Sequence, residues 1–421
     1  MKILLYGINF APEPTGIGKY TGEMASWLAA HGHQVRVVTA PPYYPAWAVG
    51  AGYSARAYRR EEWEGARVWR CPLWVPRRPG GLARVLHLIS FAITSLPVVV
   101  RQAFWRPDVV WVCAPAFACT PGALLAARLS GAPAWLHVQD YEVDVAFDMG
   151  LLRGKLVRQL VTNVERWLFR RFDVVSSISQ RMLDKARDKG VAPERVVFFP
   201  NWVDVNAITP LTPPSPYRQE LNIAPGQVVA LFSGTLSAKQ GLHLLPELAR
   251  RLLAAQAPVT LVICGDGVMK PQLEEATRGL PNVRLLPLQP KARLGELHLL
   301  PQDPDVADLV MPSKLTAMLS SGRPVVSNAR PHSEIAEVVS QCGRLCQPGD
   351  VADMQAQVQA LAADAALRAQ LGQAARAYAE RHLAADSVLA QFVADCQRIT
   401  GQGDNAAADA KNLDQQGTAR P

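Results

Sequence analysis

Residues 2–40 read KILLYGINFAPEPTGIGKYTGEMASWLAAHGHQVRVVTA, and this stretch decides the fold. KILLYG at 2–7 is an apolar run closed by glycine, the pattern of a strand buried on both faces of a parallel sheet. Residues 20–31 carry apolar side chains at helical spacing. QVRVVTA at 34–40 returns to strand character. Strand, loop, helix and strand in this order predict a doubly wound α/β domain.

The alternation continues along the chain. DVVWVCAP (108–115), a helix from Pro121 to Ser130, PAWLHVQD (133–140), a basic helical region over 151–171, DVVSSIS (173–179) and a helix from Gln180 to Lys189 follow. Composition changes near 200–226, where Pro210, Pro213, Pro214, Pro216 and Pro225 follow Pro200, and this reads as a linker. A second α/β pattern then begins. It comprises VVALFSG (228–234), a helix over 241–255, PVTLVICGDG (258–267), a helix over 270–278 and NVRLLPL (282–288). HLLPQ (298–302), a helix over 312–321, PVVSNA (324–329) and GRLCQPGD (343–350) complete it. The expected division is residues 1–202, a Pro-rich linker at 203–226, and a second domain at 227–384. A terminal helix at 385–400 would pack back on the first domain, and the polar tail at 401–421 is expected to be disordered. No repeat of 20–50 residues is present.

The chain has 421 residues, 49% hydrophobic and 19% charged, the balance of a globular protein. Its net charge of +8 is concentrated. Residues 56–106 hold ten Arg and three Glu, and residues 151–190 hold ten Lys or Arg and four acidic residues. No basic helix interleaved with aromatics and no RNA-binding motif accompanies this charge, so nucleic acid is not an expected partner. Local basic patches suit an anionic membrane surface. Seven cysteines without a Cys-x-x-Cys fit buried thiols in a reducing, cytoplasmic compartment. Cys342 and Cys346 stand apart from His and other Cys, and no metal site is expected. MKILLYGINFAPEP reads as a first strand rather than a secretory leader.

VLHLISFAITSLPVVV at 85–100 is shorter than the roughly 20 residues that span a bilayer and is interrupted by His87, Ser90 and Pro97. It reads either as a helix buried on the sheet or as an interfacial segment. Arg77, Arg78 and Arg84 before it, and Arg101, Trp105 and Arg106 after it, suit an anionic headgroup layer.

Five stretches carry candidate chemistry. In PTGIGKY, Gly16 and Gly18 would let backbone N–H groups approach a phosphate or a hydroxyl-rich ligand. The glycines come late after the strand and lack the third glycine of a dinucleotide fingerprint, so NAD is not expected. In FSGTLSAKQG, Gly234 and Thr235 end a strand, and Lys239 and Gln240 precede a helix. A cation beside free N–H groups suits a diphosphate leaving group. In VICGDG, Gly265 and Gly267 give a tight strand-end turn. In MPSKL, Ser313 and Lys314 open a helix able to hold a phosphate or ribose. In LHVQDYEVD, Asp140 lies beyond a strand end, placed to orient or deprotonate a hydroxyl, while His137 on the apolar strand reads as a core residue.

FAPEPTGIGKYTGEMASWLAAHGHQVRVVTAPPYYP, VQD, PNWVD, SGTLSAKQG, CGDG and PSKLTAMLSSGRPVV, taken in order, resemble glycosyltransferase family 4 over residues 1 to about 380. The resemblance implies the GT-B fold, an α/β architecture of two Rossmann-like domains facing a central cleft. It implies retaining transfer from a nucleotide sugar, with no obligatory metal and no other cofactor. The first domain would bind acceptor and the second the donor, with Lys239 and Lys314 on the diphosphate. YYP at 43–45 and the PSKL string resemble the colanic acid biosynthesis subgroup. That likeness implies a GDP-linked donor, GDP-fucose, and a polyisoprenyl-diphosphate-linked oligosaccharide acceptor. The protein would then be cytoplasmic and peripheral on the inner membrane.

The chain departs from the family at several points. A Glu pair common in the family is replaced by Leu309 and Ala317, and a family Arg by Thr235. KARLGELHLLPQ at 291–302 reads as short of part of a helix. The missing Glu pair keeps a catalytically weak membrane-associated scaffold open as a rival. The nearest enzymatic rival is a GT-B sugar-nucleotide epimerase, which would not need the cationic, apolar segment at 77–106.

Overall fold

The structure is a computed structural model that describes residues 1–77, 80–114, 117–141, 155–210, 215–237, 240–289, 294–303 and 313–401. The tail from 402 onward lies outside the described residues. The chain divides into two compact units, one of residues 1–200 with 389 onward, the other of residues 201–388.

The first unit is built on eight strands. They are β1 (Lys2–Tyr6), β2 (Gln34–Thr39), β3 (Arg59–Trp63), β4 (Ala66–Arg70), β5 (Val109–Ala114), β6 (Ala134–Val138), β7 (Val174–Ser177) and β8 (Val196–Phe198). Their order is β3-β4-β2-β1-β5-β6-β7-β8, parallel except for the β3–β4 pair. Leu4 of β1 stands opposite Arg36 of β2 on one side and Val110 of β5 on the other. Helices α1 (Gly16–Ala30), α2 (Gly81–Ala103), α3 (Thr120–Ser130), α4 (Lys155–Phe169) and α5 (Gln180–Asp188) connect the strands. Local chemistry sets their ends. Pro121 opens α3 and Gly131, at φ 72°, closes it. The Ser179 hydroxyl accepts the Met182 N–H at 3.1 Å and starts α5. Leu4, Tyr6, Val112, Leu136 and Val175 form the core with Phe91 of α2 and Ala123 of α3. All seven cysteines are free and buried.

The second unit has the order β11-β10-β9-β12-β13-β14, parallel throughout. Its strands are β9 (Val228–Ser233), β10 (Val259–Cys264), β11 (Val283–Leu286), β12 (Leu297–Leu300), β13 (Val325–Ser327) and β14 (Gly343–Leu345). Around them lie α6 (Pro216–Glu220), α7 (Leu244–Ala254), α8 (Lys270–Ala276), α9 (Ser313–Ser320), α10 (Glu334–Cys342), α11 (Val351–Ala363) and α12 (Ala365–His382). The Pro-rich stretch contains α6, which packs Tyr217 on Val229, Leu231 and Cys264. Helix α7 starts at Leu244, not at Gly241, because a turn at 241–243 precedes it. Among the described residues no helix separates β11 from β12. The last helix, α13 (Ala385–Ile399), sets Phe392 against the rings of Trp135 at 4.9 Å and Phe199 at 5.3 Å, in the first unit.

Two elements differ from the sequence pattern. The β3–β4 hairpin has no apolar run because β3, RREEW, is a largely solvent-facing edge strand. Its turn does leave a mark: Glu64 and Gly65 sit at φ 42° and 85°, as a two-residue hairpin turn requires. Helix α2 extends the 85–100 run to 23 residues, long and apolar enough by composition to cross a membrane. One of its faces is nonetheless committed to the core, with Phe91, Ser95 and Val99 fully buried. The Ser95 hydroxyl meets the Tyr6 hydroxyl at 2.7 Å. The buried reading holds for this face, while Leu82 and Ile93 on the opposite face are exposed.

The hairpin is tied to the rest by Arg70, which is 1% exposed. Its guanidinium pairs with Glu61 at 2.7 Å and donates to the carbonyls of Ala40 at 3.0 Å and Ala11 at 2.5 Å. Removing the cation leaves Glu61 and two carbonyls without it. Arg70→Met is therefore expected to cost about 3–5 kcal/mol of stability in chemical denaturation. Arg70→Lys should recover only part of this, since one ammonium cannot reproduce the fork.

Candidate active site

In the second sheet the chain lays β10 and β11 to one side of β9, then returns to place β12, β13 and β14 on the other. The loops after β9 and β12 therefore diverge, and open α/β sheets hold ligands in such a crevice. Five predicted residues meet there: Gly234, Gln240, Gly265, Gly267 and Lys314. Gly234 follows β9, and a Cβ on Gly265 after β10 would collide with the Gly234 carbonyl oxygen. A Cβ on Gly267 would likewise strike the Leu236 backbone. The three glycines have φ of 151°, 154° and 153°, a region closed to other residues. Gly241, at φ 61°, packs its backbone on Gln302 after β12. Gln302 and Asn328 bond reciprocally, at 2.6 and 2.9 Å, and so join the ends of β12 and β13.

Lys314, in the first turn of α9, brings its ammonium into this cluster. Its Nζ donates to Gln240 Oε1 and lies 4.6 Å from the centre of the Phe232 ring. The same atom would be 3.8 Å from a Cβ at Gly234. Burial pushes the Lys314 pKa down to about 7, and among the described residues it forms no ion pair. An amine held this way gains a proton when an anion arrives, so the site favours a negatively charged ligand. Thr235 is exposed at the same strand end. Lys239 lies outside the described residues, and Ser313 is placed only as the first residue of α9. Ala317 lies farther along α9, half-buried against the core, and Leu309 is outside the described residues. Among the described residues no group of three or more His, Cys, Asp or Glu is arranged to hold a metal.

The first unit has a comparable divergence, where β2 and β5 flank β1. Helix α1 begins at Gly16, at the end of the long loop that follows β1, with Gly16 exposed and at φ 61°. Gly18 is buried, and a Cβ there would run into the Glu13 side chain. Gly16 thus faces outward, while Gly18 makes room for a neighbour. Glu13 was missed by the sequence reading. It is 3% exposed and accepts from Asn9 Nδ2 at 2.9 Å and from the amides of Tyr43 at 3.1 Å and Tyr44 at 3.0 Å. Burial raises its pKa against the opposing pull of those amides, Asn9 and Arg70. A carboxylate between two prolines, in an otherwise apolar loop, was the available signal.

Asp140 is exposed just past β6, two strands along the sheet from β1. His137 is a core residue. Its ring meets Ser176 Oγ at 2.9 Å and Gln139 Nε2 at 3.2 Å, and burial pushes its pKa down to about 3, so it is neutral.

The depressed Lys314 pKa fixes a sign. Below about pH 7 the amine is charged in both folded and unfolded chains, and the folded chain bears the full desolvation cost. Between that pH and the ordinary lysine range the cost fades. Lys314→Met should therefore raise the melting temperature by on the order of a few °C at pH 6 and by less at pH 9. Thermal melts at the two pH values check this.

Residues 15–202 match the Glycosyl transferase 4-like domain and residues 227–364 the Glycosyl transferases group 1 domain. The chain is 44% identical over 414 residues to a protein of Escherichia coli (strain K12) named as a colanic acid biosynthesis glycosyl transferase, WcaI. That match covers 94% of this chain and 99% of the other. Among solved structures, HepE of Anabaena in complex with UDP-glucose superposes with a TM-score of 0.63 at 19% identity, over 94% of this chain and 100% of that one. Sucrose-phosphate synthase from Thermosynechococcus elongatus superposes with a TM-score of 0.70 at 14% identity, over 95% and 99%. The structural likenesses speak to the fold and the sequence match to the family: the chain belongs to the glycosyltransferases of the GT-B fold, in the family that includes WcaI.

Proposed function

We propose that this glycosyltransferase moves a sugar, fucose from GDP-fucose, onto a polyisoprenyl-diphosphate-linked oligosaccharide. The product would serve an exopolysaccharide of the colanic acid type. The name of the Escherichia coli relative supports the pathway, and the site chemistry supports the donor class. The enzyme works from the cytoplasmic side, peripheral on the inner membrane, and retains the anomeric configuration.

The observation that carries the reading is the half-buried Lys314 amine beside Gly234 and Gln240. As the bond from the sugar anomeric carbon to the β-phosphate oxygen breaks, its electron pair moves onto the phosphate. Lys314, recharged by the bound diphosphate, stabilises that negative charge, with Lys239 as the second cation on sequence grounds. The acceptor hydroxyl bonds to the anomeric carbon on the face the leaving group vacates. Its proton passes to the departing phosphate. The close glycines after β9 and β10 let the two strand-end loops pack against each other beside Lys314. No metal is assigned a role, since the cation at the diphosphate is supplied by lysine.

Two measurements test this. Lys314→Met should lower kcat for nucleotide release on the order of 10²–10³-fold, and Lys314→Arg by less; an unchanged rate would remove Lys314 from the reaction. A thermal-shift panel of GDP, UDP, ADP and their sugars should give the largest shift with the guanine nucleotides. A preference for UDP would overturn the GDP-fucose assignment and leave the transfer reading in place.

A further inference from the structure

The outward face of α2 is apolar. At 100° per residue, Leu82, Val85, Leu86, Ile89, Ile93 and Leu96 fall within an arc of about 100°. All six are exposed, Leu82 at 70% and Ile93 at 66%. Ser90 and Thr94 lie between this stripe and the buried His87 and Phe91 face. Those two residues also line an open hollow of about 550 Å³, whose other walls include Trp47, Leu73, Trp74 and Val75, with Arg56 and Arg77.

The hollow is held in shape from behind. His87 Nδ1 bonds the Trp74 carbonyl at 2.6 Å, and its ring packs on Tyr43 at 4.6 Å and Trp47 at 5.3 Å. The Trp74 N–H donates to Ser90 Oγ at 2.9 Å, and the Thr94 hydroxyl donates to the Pro72 carbonyl. Both tryptophans are thereby tied to α2. Arg56 and Arg77 are exposed and form no ion pair among the described residues. Aromatic and aliphatic walls with two unpaired guanidinium groups suit a ligand that is hydrocarbon at one end and phosphate at the other.

We propose that the α2 stripe seats in the lipid leaflet and that the hollow binds the phosphate end of an isoprenyl-phosphate lipid. The stripe and the hollow share one helix, so seating the first brings the second to the headgroup layer. Arg56 and Arg77 meet the phosphate there, and Trp47 and Trp74 cover the first isoprene units. This rests on the lipid-linked acceptor reading and names the part of the chain that would select the lipid.

Flotation of the full chain with phosphatidylcholine vesicles tests it, the vesicles carrying either undecaprenyl phosphate or phosphatidylglycerol at equal charge. The wild-type chain should float with both and prefer undecaprenyl phosphate. The Arg56→Ala/Arg77→Ala double variant should lose roughly tenfold or more of its binding to undecaprenyl phosphate vesicles, and its preference with it. Ile93→Asp, on the exposed face, should lose binding to both vesicle types while keeping its melting temperature. No preference in the wild type, or a preference that survives the double variant, overturns the hollow. Vesicle binding that survives Ile93→Asp overturns the stripe, as does a vesicle-free dimer that this variant dissolves. Nucleotide release by the wild-type chain without vesicles reports separately on the transfer reading.

Discussion

Strands β1 and β9 are each hydrogen-bonded in parallel on both edges, and the rest of each sheet depends on that pairing. A strand enclosed on both edges and both faces has every backbone group satisfied within the sheet. The chain can leave it only through a crossover, and a sheet grown from such a strand must reverse direction once. The reversal separates two adjacent loops at the carboxyl end, where backbone N–H groups and side chains are left to face a ligand. In the second unit the divergence falls between β9 and β12, and the candidate site lies there.

What fills that opening is decided by close approach. Gly265 lies against the Gly234 carbonyl and Gly267 against the Leu236 backbone, so two loops run where side chains would not fit. Lys314 lies beside Gly234 at this junction, with the Gln240 carboxamide as its acceptor and, among the described residues, no carboxylate paired with it. A lysine paired with a carboxylate would be satisfied within the protein. This one is poised to be satisfied by a ligand. The first unit treats its own opening differently, filling the base with the Glu13–Asn9 pair and leaving Gly16 outside. Arg70 reaches the same loop through the Ala11 carbonyl, so a hairpin at the sheet edge helps fix the turn after β1.

Helix α2 shows how one apolar run can answer two demands. Its inner face supplies Phe91 and Val99 to the core, which holds the helix to the sheet. Its outer face is equally apolar and largely exposed, and a globular surface seldom leaves such a stripe without a use. Composition along the run does not distinguish these faces, because both are aliphatic. Only the direction in which the sheet lies separates them.

The sequence by itself determined the α/β class, most of the strands and the family. Buried parallel strands are continuous Val, Ile and Leu runs, and the glycine-bearing loops between them stand out. It also marked Gly234, Gln240, Gly265, Gly267 and Lys314 as separate candidates. Tertiary structure decided that these meet, because strand order, not sequence distance, sets which loops are neighbours. It alone showed Gly18 turned inward onto Glu13, the β3–β4 hairpin anchored by Arg70, and the two faces of α2. Each of these depends on what stands across a gap from the residue, and that is a property of packing that no local pattern of side chains encodes.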